Sequence, residues 1–142
     1  MANVSQVLDP NPEDIDAIMI TGNFIHRSFM LTASGVEGFE MKWAVIKEVM
    51  ANTTKMIEKR FPGKPILPAM GYTDNLGGFY APENVNLKTQ TFDNIFPLWF
   101  GNLPDQAKMY STFIEGGFYE YQVSKHLSVL SLNSLYFHAK NP

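Results

Sequence analysis

The residues best placed to do chemistry stand just after two short apolar runs. "MITGNFIH" (residues 19–26) stops at Gly22 and then presents Asn23 and His26. "ILPAMGYTD" (residues 66–74) stops at Gly71 and presents Asp74 three residues later. An amide oxygen accepts hydrogen bonds, an imidazole moves protons near neutral pH, and a carboxylate holds metals or backbone N–H groups. If both runs are strands of an open α/β sheet, these side chains lie beyond the carboxyl ends, where ligands gather. Each also has a plainer use. Asn23 after Gly22 suits a turn with left-handed backbone, His26 suits a surface loop, and Asp74 in "TDNLGG" suits a turn cap.

Other chemistries find no support. The three histidines, His26, His126 and His138, are 100 and 12 residues apart and make no metal signature. Cysteine is absent, which removes disulfides and thiolate metal sites. No Ser, His and acid arrangement occurs, and the Gly pairs at 77–78 and 116–117 are no phosphate-cradling loop. The net charge of −3 and the scattered Lys and Arg give no reason to expect a nucleic-acid or anionic-membrane partner. No stretch approaches the ~18 apolar residues of a spanning helix. The first residues, "MANVSQVLDPNPEDID", have neither the basic region nor the apolar core of an export signal. Two glycosylation sequons, at Asn3 and Asn52, point the other way, so the compartment stays open.

The elements that must position these residues follow from periodicity. At 142 residues and 45% hydrophobic content, the chain has material for one domain with a real core. "DAIMIT" (residues 16–21) is a continuous apolar run, the pattern of a strand buried on both faces. From Glu37 to Arg60, Phe39, Trp43, Ile46, Met50 and Ile57 recur at helical spacing. "FPGKP" (residues 61–65) ends that helix, and "ILPAM" is a second strand. Strand, helix and strand make a βαβ unit with parallel strands. Tyr72–Asn86 is a Gly-, Asn- and Pro-rich loop. Phe92, Ile95, Phe96 and Trp99 predict an amphipathic helix over 89–100, and Asp105–Phe113 predicts another. With Phe100, that aromatic set reads as core. "GGFYEYQV" and "HLSVLSLNS" alternate around "SK" and predict a β-hairpin over 116–134.

Three stretches together carry a resemblance. "MITGNF", "FPGKPILPAMGYTDN" and "GGFYEYQVSKHLSVLSLNSLYF" occur in the order and spacing seen in acid-sphingomyelinase-like phosphodiesterases. Those enzymes belong to the calcineurin-like metallophosphoesterase superfamily. The resemblance runs from about Pro12 to Pro142. It implies the middle part of a metallophosphoesterase α/β sandwich, a single partial domain over residues 1–142. It implies hydrolysis of phosphate esters, of a small molecule or a lipid head group, in a secreted or lysosomal family. Such hydrolysis uses two divalent zinc-type metals ~4 Å apart that polarise the phosphoryl oxygens and generate hydroxide.

Placed on that pattern, the chain departs from it at the metal ligands. Gly22 matches the family's glycine, but Asn23 stands where the metal-bridging aspartate belongs. Gly71 matches the next glycine, with Tyr72 in place of an asparagine ligand and Thr73 in place of the catalytic histidine. Asp74 alone keeps the family's residue type. His26 falls one residue short of a histidine that relatives place after their Gly-Asp, a candidate proton donor. A neutral amide at 23 offers no negative charge between two dications. The expectation is a catalytically silent chain that binds no cofactor. The alternatives are a non-catalytic interaction module, or a hydrolase completed by flanking sequence or another chain. The apolar strands would have few neighbours, which implies self-association or a partner chain through an open sheet edge.

Overall fold

The computed structural model describes residues 11–26, 36–74, 85–104 and 106–138 of the chain. The sequon at Asn3, the central part of the Tyr72–Asn86 loop, the side chain of Phe39 and the helix start at Asp105 fall outside them. The architecture is mixed α/β, with three helices and two small sheets. Among the described residues, no helix is long and apolar enough to cross a membrane.

Strand β1 (Ile18–Ile20) pairs in parallel with β2 (Ile66–Pro68), Ile18 opposite Ile66 and Ile20 opposite Pro68. The ladder is extended at both ends, by Ile18 N–H to the Pro65 carbonyl at 2.9 Å and Ala69 N–H to the Ile20 carbonyl at 2.7 Å. Helix α1 (Val36–Arg60) is the crossover between them, as its apolar spacing predicts. Trp43, Ile46 and Met50 form its buried stripe, three and four residues apart. The helix ends where Pro62 and Gly63 follow Arg60, and Gly63 takes a φ of 74° that other residues resist.

Helix α2 (Val85–Phe100) starts four residues before the expected Thr89 and runs through Pro97. Helix α3 (Gln106–Gly116) follows after a short turn. α1 and α2 both pack on β2, so its three residues are all buried. The aromatic side chains expected as core are core. Phe92, Phe96, Trp99 and Phe100 of α2 surround Phe113 of α3, with ring centroids 5.2 to 5.9 Å from it in tilted or edge-on pairs.

Strands β3 (Tyr119–Ser124) and β4 (Leu127–Ser131) form the antiparallel hairpin, with a bulge between Gln122 and Ser124. It is shorter than expected at both ends. α3 holds Gly116, Gly117 turns the chain with a φ of 68°, and residues 134–137 form a 3-10 turn capped by the Asn133 side chain. The buried Tyr119 hydroxyl donates to the Pro68 carbonyl at 2.7 Å and fastens the hairpin to the end of β2. Burial pushes that hydroxyl's pKa far up, so it stays a donor.

One strand expectation is corrected. β1 is not buried on both faces, because Met19 is 69% exposed. Its partner β2 is buried along its whole length, Leu67 opposite Met19 included, and among the described residues β1 pairs with β2 alone.

Candidate functional site

The parallel register of β1 and β2 brings their two exits side by side. After Ile20, the chain turns through Gly22 and Asn23, with φ values of 87° and 61°. Glycine adopts that region freely, and asparagine is among the few other residues that tolerate it. After Pro68, the chain turns at Gly71, and the Asp74 N–H donates to the Gly71 carbonyl at 3.1 Å.

The two turns lie main chain against main chain. A Cβ on Gly22 would stand 2.5 Å from the Gly71 nitrogen, and a Cβ on Gly71 would stand 2.2 Å from the Asn23 nitrogen. Both glycines are therefore required by close approach, whatever else the site does.

Asp74 holds the turns together. One carboxylate oxygen accepts the N–H groups of Asn23 and Gly71, each at 2.8 Å. The other accepts the N–H of Phe24 at 2.7 Å. The residue is 0% exposed. Burial raises its pKa above the ordinary carboxylate range, and the N–H groups of Gly71, Asn23, Phe24 and Ile25 oppose part of that rise. Successive N–H groups on a left-handed stretch form a concavity suited to an anion. Here the anion is the chain's own.

The remaining candidates are placed as follows. Asn23 is exposed, and its amide oxygen lies 3.4 Å from the hydroxyl of Thr73, which is buried. Tyr72 is half-buried between Gly71 and Thr73, and His26 is exposed at the far end of the first turn. Asn23, Thr73 and Asp74 are thus brought together across 50 residues of sequence. Among the described residues, no three His, Asp or Glu side chains converge as a metal-binding group. What the arrangement presents at its surface is the neutral amide of Asn23, whose oxygen accepts from the Thr73 hydroxyl.

Two features escape sequence reasoning. The donors that hold Asp74 are main-chain groups, and no residue type signals them. The far side of the first turn is pinned by Phe24, whose ring stacks on Trp99 at 5.4 Å, and by the buried Ile25. A Phe and an Ile next to a glycine turn would have been the only clue.

No protein-family model matches the chain. It is similar to a sphingomyelinase phosphodiesterase C of Dictyostelium discoideum, 26% identical over 103 residues. It is also similar to a cyclic GMP-AMP phosphodiesterase of Rattus norvegicus, 27% identical over 105 residues. Each match covers 72% of this chain and 22% of the relative, so the chain spans under a quarter of the length of the curated relatives it matches. The chain thus shows distant similarity to two phosphodiesterases.

Proposed function

We propose that this chain keeps the strand-end scaffold of a phosphodiesterase without its metal chemistry, and is catalytically silent. The observation that carries the reading is the state of Asp74, whose two oxygens are both taken by main-chain N–H groups. A carboxylate so engaged and fully buried acts as a structural clamp, closed off from a cation arriving from solvent.

The two-cation centre that the family resemblance implies does not fit the residues present. A shared anionic oxygen is needed between two dications, and Asn23 supplies a neutral amide in its place. Tyr72 and Thr73, at the positions of the asparagine ligand and the histidine, offer a phenol and a hydroxyl that bind divalent metals poorly at neutral pH. No step of hydrolysis is assigned to any of them.

The test is hydrolysis of bis(4-nitrophenyl) phosphate by the purified chain with added zinc or manganese. The expected rate equals that of the metal in buffer alone. A metal-dependent turnover that scales with protein concentration and is lost on chelation would overturn the reading. Restoring the family's residue types with Asn23→Asp, Tyr72→Asn and Thr73→His is expected to leave the rate within a few-fold of background, because Asp74 stays committed to the main chain. Strong hydrolysis by the triple variant would show that only those three positions are at fault.

A further inference from the structure

The clamp at Asp74 has the geometry of an anion site rather than of a side-chain pair. N–H groups from two segments, 50 residues apart, converge on one planar group at 2.7 to 2.8 Å. Among the described residues, every hydrogen-bond donor to this carboxylate is main-chain. The Lys108–Glu120 ion pair lies elsewhere on the surface. The donors are oriented by the left-handed backbone at Gly22 and Asn23 and by the contact of Gly22 with Gly71. None of that machinery belongs to the Asp74 side chain, so removing the side chain leaves the donors in the chain.

We propose that the main chain of Asn23, Phe24 and Gly71 forms a carboxylate-binding site that Asp74 fills from within, and that a free small carboxylate occupies it when the Asp74 side chain is removed. The site is selective by shape. Its donors are divided between two oxygens of one plane, and the group they hold is sealed from solvent. A planar carboxylate fits and a tetrahedral phosphate does not. The inference concerns the main chain and stands whether or not the chain hydrolyses anything.

The experiment is thermal unfolding of the full chain as Asp74→Ala and as Asp74→Gly, titrated with sodium formate and sodium acetate against sodium chloride at equal ionic strength. Asp74→Ala leaves a space the size of formate, and Asp74→Gly adds room for acetate. A ligand that binds the folded state alone raises the Tm with the logarithm of its concentration above Kd, by about 4 °C at a tenfold excess. The expected result is that rise in at least one variant with its matching carboxylate. It is absent with inorganic phosphate, in the wild type, and in Asp74→Asn, where the side chain still fills the space. Where a variant is unfolded at rest, recovery of cooperative unfolding on adding the carboxylate counts as the same result. The proposal is overturned if neither variant responds beyond the chloride control. It is equally overturned if the wild type or Asp74→Asn responds as strongly as the truncated variants.

Discussion

Asp74→Ala is expected to cost about 4 kcal/mol of stability, and to lower the Tm by about 15 °C. Three main-chain N–H groups lose their acceptor at once, in a place that water does not reach in the folded chain. Each buried donor left unpaired costs about 1–3 kcal/mol, and relief of the carboxylate's own desolvation returns part of the sum. Asp74→Asn should do no better. It keeps the shape but turns one acceptor into a donor facing N–H groups. Denaturant unfolding followed by tryptophan fluorescence measures both variants, with Trp99 stacked on Phe24 of the clamped turn as a local reporter. A loss below about 1 kcal/mol would mean that the two turns hold their places without the carboxylate.

Gly71→Ala should be comparably damaging for a steric reason. The new methyl would stand 2.2 Å from the Asn23 nitrogen and 2.4 Å from its amide oxygen. One of those neighbours is main chain, held by Asp74, and cannot swing aside. Gly22→Ala adds left-handed strain to a 2.5 Å contact with the Gly71 nitrogen. A loss of about 3 kcal/mol or more is expected at either position, as for severe overpacking. Gly63→Ala is the control. Its φ is also positive, but nothing lies within 4 Å of the added Cβ, so only the conformational cost of about 1 kcal/mol remains. Equal losses at Gly63 and Gly22, which share a positive φ, would show in equilibrium unfolding that backbone conformation, and not contact between the turns, sets the cost.

The long helix was legible because Trp43, Ile46 and Met50 repeat at its own period and Pro62 stops it. The α2 aromatic side chains were legible for the same reason. Met19 was misread because a continuous apolar run does not say which faces the rest of the chain covers. The hairpin ends were misread because alternation over "GGFYEYQV" continues past the point where Gly116 is still helical. At the site, the two glycines announced tight turns, and Asp74 was open between cap and ligand. Its actual partners depend on the parallel register of β1 and β2, which places Gly71 against Asn23. A contact between segments 50 residues apart leaves no local pattern.

We propose a strand-end site organised by an internal carboxylate instead of by metal ions. Elemental analysis of the purified chain, dialysed after incubation with zinc, manganese and iron, tests it most directly. The predicted result is well under one equivalent of any of the three per chain, with Asp74 still holding Asn23, Phe24 and Gly71. Two tightly retained equivalents, lost together in Asp74→Ala, would contradict it and make Asp74 a metal ligand.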